Sequence, residues 1–329
     1  MKNPKISVVI LSYNEKQWIP KLLESLKKQT FKNYEVIIAD NNSTDDTEKF
    51  VKNNFSLVKI INNKTNLGTP GYNPAIKKAR GKYIFFIATD MEVDKNCLKE
   101  LVNIMESDSK IALCAPKVVN YYDHLKVDVN GTWLSHFFYG GAIRNHDMTK
   151  PTEVPFYGIG LIRKSVIDKI GVLYDPDYFW YGEDVDLCMK IRLMGMKVVA
   201  VPSAVIYHYG FQAQKIWTKG HLTFLIERNQ LTNFLRTFSL VNILLYAPLV
   251  FGARIAVFIK DLIKLDFNRA QARLGAIAWV LTHPTYILAK RRASQALRTV
   301  DDSYIFQVMS EKYLLKVVKH NLTGRGWQK

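Results

Sequence analysis

Residues 6–11 (ISVVIL) form an unbroken aliphatic and β-branched run, which predicts a strand buried on both faces. Ile19, Leu22, Leu23 and Leu26 follow at helical spacing, with Lys21, Lys27 and Lys28 on the other side. Glu35 to Ala39 is a second short strand ending at Asp40, and Ser43-Thr44-Asp45-Asp46 reads as a cap for the next helix. Val58 to Ile61 is a third strand. After the loop Asn66-Leu67-Gly68, a helix is expected over Asn73 to Arg80, then a fourth strand from Tyr83 to Ala88 that stops at Thr89-Asp90. Alternating strands and helices at this pitch predict right-handed βαβ units and a mainly parallel sheet, an α/β fold.

Ligands of open α/β sheets sit beyond the carboxyl ends of the strands. The polar groups after the predicted strands are therefore the first candidates: Ser12 to Glu15, Asp40 to Asp45, Asn66 to Gly68, and Asp90 to Glu92. No GxGxxG follows the first strand and no GxxxxGK[ST] occurs, which argues against a dinucleotide-binding site and excludes a P-loop. Beyond residue 110 the pattern loosens. Gly140-Gly141 and Gly158-Ile159-Gly160 mark turns or close approaches, and an aromatic loop at 178–181 runs into Glu183-Asp184-Val185-Asp186, which opens a helix. Val198 to Val201 and Val205 to His208 read as two last short strands.

Charge divides the chain. Of its 329 residues, 1–210 hold 28 Lys/Arg against 23 Asp/Glu, whereas 211–329 hold 18 against 6. The last third is thus strongly basic beside long apolar stretches, which places a boundary near residue 210 and points to an anionic partner. Cys97, Cys114 and Cys188 lie far apart without a CxxC pair, which fits a reducing cytosol rather than disulfides or structural zinc. The first apolar run is too short for a signal peptide.

Three stretches, VVILSYNE through NNSTDDT, YIFFIATDMEVD, and WYGEDVDLCMKIRLMGMKV with VIYHYG, resemble family 2 inverting glycosyltransferases of the GT-A fold, most of all the rhamnosyltransferase-like branch that builds surface polysaccharides. The resemblance covers roughly residues 5–210. It implies a nucleotide-sugar donor, a glycan or lipid-linked acceptor, and Mg²⁺ or Mn²⁺. By the same resemblance, Tyr13 and Glu15 lie beside the nucleotide, Asp40 binds its base, and Asn66 and Gly68 belong to the ribose–diphosphate loop. Asp90 matches the last carboxylate of the metal motif, His208 a further metal or diphosphate contact, and Asp184 the acceptor's base. In this sequence Ala88 stands where the family often has the motif's first Asp or Asn, so Asp90 is its only strand-end carboxylate.

The chemistry asks for a base, positive charge on the leaving diphosphate, and a wall for the acceptor. Asp184 supplies the first and an ion on Asp90 the second. Phe179, Trp180 and Tyr181, with Glu183 beside them, supply an acceptor site. Each has a plainer reading: Asp184 as a helix cap, Asp90 and Asp40 as turn residues, the aromatics as a packed loop.

Leu240 to Ile259 and Ala276 to Ala289 are apolar stretches broken by Pro248 and by His283-Pro284, short of a spanning helix and flanked by cations. We expect a catalytic domain over 1–210 and a basic helical extension over 211–329. The extension would lie on an anionic membrane surface at its cytoplasmic face, pack as a homo-oligomer interface, or span. A polyprenyl-phosphate sugar synthase and, from charge alone, a nucleic-acid-binding protein are the alternatives; the charge is not interleaved with aromatics, so no nucleic acid is expected.

Overall fold

The computed structural model describes residues 3–210 and 218–314. Part of the C-terminal positive charge, on 211–217 and 315–329, therefore lies outside the described residues. The first half runs β1 (Ile6–Ser12), α1 (Ile19–Lys27), β2 (Tyr34–Asp40), α2 (Thr47–Asn54), β3 (Lys59–Asn62), α3 (Tyr72–Ile76), β4 (Tyr83–Ala88), β5 (Met91–Val93), α4 (Cys97–Ser107) and β6 (Ile111–Asn120). Then come β7 (Val127–Val129), β8 (Thr132–Leu134), β9 (Gly140–Ala142), β10 (Thr152–Glu153), β11 (Gly160–Arg163), α5 (Lys164–Ile170), α6 (Glu183–Leu193) and β12 (Lys197–His208). Helices α7 (Lys219–Thr237), α8 (Leu240–Ile263), α9 (Phe267–Thr282), α10 (Pro284–Gln295) and α11 (Ser303–Phe306) complete it.

The main sheet has the order β10-β12-β6-β11-β4-β1-β2-β3, with β5 on β12 and β7 on β6. Strands β3, β2, β1 and β4 are mutually parallel, β12 is parallel to β6, and β11 runs antiparallel between β4 and β6. All six parallel strands therefore end at one edge. The apolar run of β1 is buried on both faces as its sequence predicts: Val9 joins one core cluster, while Val8 and Ile10 join the other with α1 and α4. The first cluster continues past residue 210 through Leu231, Phe234, Val250 and Val280.

Four local expectations change. The helix expected over 73–80 stops at Ile76, because the chain turns at Arg80, whose backbone N–H and guanidinium both bind Glu35 of β2. The expected cap of α2 is met in part: Ser43 binds Asp40 and left-handed Asp46 holds the cap position without a side-chain bond, but Asp45 Oδ1 accepts from the amide of Thr47, the first residue of α2, at 3.2 Å. The last two strands are one, β12, with a register shift between Val201 and Val205 at Pro202, which lacks a ladder donor. The apolar stretch from residue 240 is a continuous 24-residue helix, α8, long and apolar enough to cross a membrane. It tolerates Pro248 because that residue and Leu244, whose carbonyl loses its donor, are both exposed.

Candidate active site

The strand-end edge gathers most of the expected residues. Ser12 pairs with Asp40, Asp40 with Asn62, and Leu11 with Ala88, so the turns after β1, β2, β3 and β4 lie side by side. Thr89, which follows β4, donates its hydroxyl to Glu15, which follows β1. Burial, with the nearby charges of Asp90 and Asp45, pushes the Glu15 carboxyl up to about 7 against the opposing Thr89 bond. Tyr13 is 41% exposed at the rim. Asp40 is buried and locally engaged, Oδ2 accepting from the Ser43 amide at 2.9 Å and Oδ1 from the Ser43 hydroxyl at 2.5 Å. Each oxygen keeps a further lone pair for a ligand.

Asp90 meets His208, brought to the same edge by β12. His208 Nε2 lies 3.2 Å from Asp90 Oδ2, and Nδ1 lies 2.8 Å from Asp128 Oδ2. The two carboxylates outweigh burial and raise the imidazole to about 9. Asp128, on β7, was invisible to sequence reasoning because it follows no parallel strand; antiparallel pairing of β7 with β6 delivers it. This is the carboxylate–imidazole arrangement that orients a metal-ligating histidine. Among the described residues no three His, Cys, Asp or Glu side chains are grouped to hold a metal ion. An ion here would take Asp90 and, once the imidazole gives up its Nε2 proton, His208, and would draw its other ligands from water and a ligand's phosphates.

The loop after β3 closes the next side. Asn66 Oδ1 accepts from the Gly68 amide at 2.9 Å, and Asn41 Nδ2 donates to the Gly68 carbonyl at 2.8 Å. Gly68 has φ +68°, and a Cβ there would run into the carbonyl of Phe179. The Thr69 amide donates to that same carbonyl at 3.0 Å, so the loop near Asn66 is bonded to the aromatic loop before α6.

That second loop is strained and braced. Tyr181 and Gly182 are consecutive left-handed residues, φ +62° and +84°. Trp180 and Tyr181 stack with centroids 4.8 Å apart. From α7, Asn229 donates to the carbonyls of Trp180 and Tyr181, and Asn233 donates to Gly182 O at 2.7 Å. Sequence reasoning missed both asparagines, which sit on an otherwise ordinary helix some fifty residues from their partners. Below, Arg236 bonds Asp186 at 3.0 Å and Asp175 at 3.2 Å, while Lys190 and Lys290 hold the same two aspartates.

Gly182 occupies the N-cap of α6, so Glu183 and Asp184 are its first two residues and Asp184 is not the cap. Asp184 Oδ1 accepts from the Val185 amide at 2.8 Å, and a Cβ at Gly158 would stand 3.7 Å from Oδ2. Glu183 is buried, and its Oε2 has no hydrogen-bond partner. Burial pushes both carboxyls above the ordinary range, Glu183 further because Asp184 is charged beside it. Burial raises the Tyr72 phenol, on α3, and the charges of Asp90, Glu15 and Glu183 raise it further, so acids of the strand-end edge and of α6 act on one side chain. An unexpected aromatic cluster borders the strand-end edge: Tyr209 stacks on Trp18 at 4.5 Å and lies 4.2 Å from Tyr121, with the Lys21 ammonium over all three rings.

The family described as Glycosyl transferase family 2 matches residues 7–171. The UDP-Glc:alpha-D-GlcNAc-diphosphoundecaprenol beta-1,3-glucosyltransferase WfaP of Escherichia coli is 33% identical over 196 residues, 58% of this chain and 72% of WfaP. The poly(ribitol-phosphate) beta-N-acetylglucosaminyltransferase TarS of Staphylococcus aureus is 36% identical over 124 residues, 35% of this chain but only 22% of TarS. The chain thus spans about a fifth of the length of that relative. In fold it is similar to the crystal structure of GalNAc-T7 with UDP, GalNAc and Mn²⁺, with a TM-score of 0.61 at 19% identity over 85% of this chain and 58% of that one. The GT-A fold expected from the sequence is therefore the one observed, and the chain belongs to glycosyl transferase family 2.

Proposed function

We propose that the chain is an inverting glycosyltransferase that moves a sugar from a nucleotide-diphosphate donor to a hydroxyl of a glycan or lipid-linked acceptor. The observation that carries this reading is the gathering of Glu15, Asp90 and His208 at the strand-end edge, with Glu183 of α6, next to Asp184, acting on the same Tyr72 side chain as Glu15 and Asp90. The donor lies over the strand ends, with Asp40 toward its base, Tyr13 and Glu15 beside the nucleotide, and the Asn66–Gly68 loop at ribose and diphosphate. The acceptor sits between that edge and the Trp180–Tyr181 stack, its hydroxyl at Asp184.

Asp184 takes the acceptor proton as the oxygen attacks the anomeric carbon. The anomeric C–O bond to the diphosphate breaks, and the nucleoside diphosphate leaves with the electron pair. Asp90 and His208 would hold a divalent ion, Mg²⁺ or Mn²⁺, whose positive charge would offset that of the leaving diphosphate. Asp128 fixes the imidazole, and Asn229 and Asn233 hold the backbone that aims Asp184.

Residues 1–210 carry the reacting groups in this reading, and α7, within the extension over 211–329, braces the acceptor loop. Membership of the rhamnosyltransferase-like branch, with a role in surface polysaccharide or glycoconjugate synthesis at the cytoplasmic membrane face, is its finer form. WfaP, by its name, acts on an acceptor carried on diphosphoundecaprenol, which supports a lipid-linked acceptor here. No feature of the site favours the polyprenyl-phosphate synthase or nucleic-acid readings.

The test is a panel of UDP- and dTDP-sugars, with Mn²⁺ or with chelator. The correct donor raises the melting temperature and releases nucleoside diphosphate when acceptor is added. If no donor does either with Mg²⁺ or Mn²⁺ present, the reading fails.

A further inference from the structure

Helix α8 is built inside out. On a helix turning about 100° per residue, Val241, Leu244, Leu245, Ile255, Ile259 and Ile263 fall within about 60° of one line. Those side chains are outward: Val241, Leu244 and Leu245 are 66–76% exposed, and Ile263 is 76% exposed. Val250, Arg254 and Asp261 fall on the opposite side and are the buried residues of α8. Two of its three charged residues thus face the protein while the aliphatic side chains face away from it, the reverse of a helix that meets water. The stripe runs the length of α8, about 36 Å. Exposed Phe267, Leu274 and Leu281 extend it onto α9.

The charged groups are sorted the same way. Residues 240–295 contain eight Lys/Arg and two Asp. Asp261 points inward and bonds Arg273, and Glu227 of α7 is buried between Arg254 and Arg273. The remaining acid, Asp266, is paired with Arg269. Exposed Lys260 and Lys264 sit beside the apolar stripe at its C-terminal end. Two of the acids are thus buried against arginines and Asp266 is paired, which leaves Lys260 and Lys264, unpaired among the described residues, at the margin of the apolar face, a charge pattern complementary to an anionic leaflet.

We propose that the outer face of α8, with the adjoining face of α9, is a docking surface for an anionic membrane, and that α8 lies in the interface. Two features hold it there rather than across the bilayer. Arg254 donates to the carbonyls of Phe137 and Phe138 and pairs with Glu227, and Val250 belongs to the main core. A spanning α8 would break these bonds and carry an unpaired Arg254 into hydrocarbon. Lysines at the flank extend past their apolar stems to the headgroups. The surface anchors an enzyme of a lipid-linked acceptor, but it stands or falls without reference to transfer activity.

The experiment is flotation of the full chain with vesicles of phosphatidylcholine alone or with one quarter phosphatidylglycerol. Sedimentation equilibrium without vesicles runs alongside. The wild-type chain should float with the anionic vesicles, less so as salt rises. Leu244→Ser/Leu245→Ser should weaken partition about tenfold or more with an unchanged melting temperature, because both side chains are solvent-facing. Lys260→Ala/Lys264→Ala should lose about tenfold on anionic vesicles and little on neutral ones. Absence of flotation overturns the proposal, as does flotation that neither variant alters. A self-association broken by the Leu244/Leu245 pair also overturns it, and assigns the face to a second copy of the chain.

Discussion

Replacing Asp184 by Asn should do two things of opposite sign. The change is nearly isosteric, and the remaining Oδ1 still accepts from the Val185 amide. What is lost is the ability to take a proton, so turnover should fall at least about a hundredfold while donor affinity is unchanged. Stability should move the other way. Burial holds the Asp184 carboxyl above its ordinary range in the folded protein. The unfolded chain ionises it more readily, so folding is penalised at neutral pH, and the penalty vanishes below the ordinary carboxylate range, where both states are protonated. Asn removes that penalty. It also gives up the favourable charge in the first turn of α6, about 0.3–1 kcal/mol. The upward direction of the carboxyl shows burial to be the larger effect, leaving a net gain on the order of 1 kcal/mol. For a chain of this length that is about 1–2 °C.

Melting curves of both proteins from pH 4 to pH 8 read the stability, and kcat/KM over the same range reads the base. The difference in melting temperature should favour the Asn variant at pH 8 and close toward pH 4. Wild-type kcat/KM should decline on the acid side from a point above the usual carboxylate range. A variant that melts lower at pH 8 refutes the burial argument. Near-normal turnover removes Asp184 as the base and shifts weight to an acceptor that needs none.

Asp90→Asn should abolish the Mn²⁺-dependent part of nucleoside-diphosphate binding by calorimetry; an unchanged Mn²⁺ enhancement removes Asp90 from the ion. Gly68→Ala places a side chain at φ +68° against the Phe179 carbonyl, so it should lower the melting temperature by several degrees, with strain of about 1–3 kcal/mol, and weaken donor binding; wild-type values for both refute the contact. Arg236→Leu leaves Asp175 and Asp186 buried without their shared partner, so urea unfolding should show a loss of about 3–5 kcal/mol, and a loss under about 1 kcal/mol refutes the network.

The strand-end acids were legible because strands buried on both faces write themselves as unbroken apolar runs, and the polar residue that stops each run marks the edge where ligands bind. ISVVIL, EVIIA and YIFFIA each end beside a residue of the site, and Glu15, Asp40 and Asp90 follow from that alone. Residues that arrive by another route left no such mark. Asp128 comes to His208 through an antiparallel edge strand, across 80 positions. Asn229 and Asn233 act on backbone carbonyls, which no side-chain pattern announces. The unity of β12 was hidden by Pro202, which breaks the ladder without ending the strand.

Helix α8 was obscure for a different reason. An apolar run has the same spelling whether its neighbours are side chains or lipid, and Pro248 divided it on paper where the helix continues. Two of the three charged residues inside it, Arg254 and Asp261, carry the distinction, but only once their direction is known. Had Arg254 and Asp261 pointed to water, the aliphatic side chains would have been core and the helix an ordinary amphipathic one. They point inward instead, to Glu227, to Arg273 and to the carbonyls of residues 137 and 138. Burying two charges is costly unless each is paired, and here both are, so Arg254 and Asp261 need no water. What remains on the outside is apolar surface whose favourable transfer can come only from something other than water, and the cations at its margin select an anionic one.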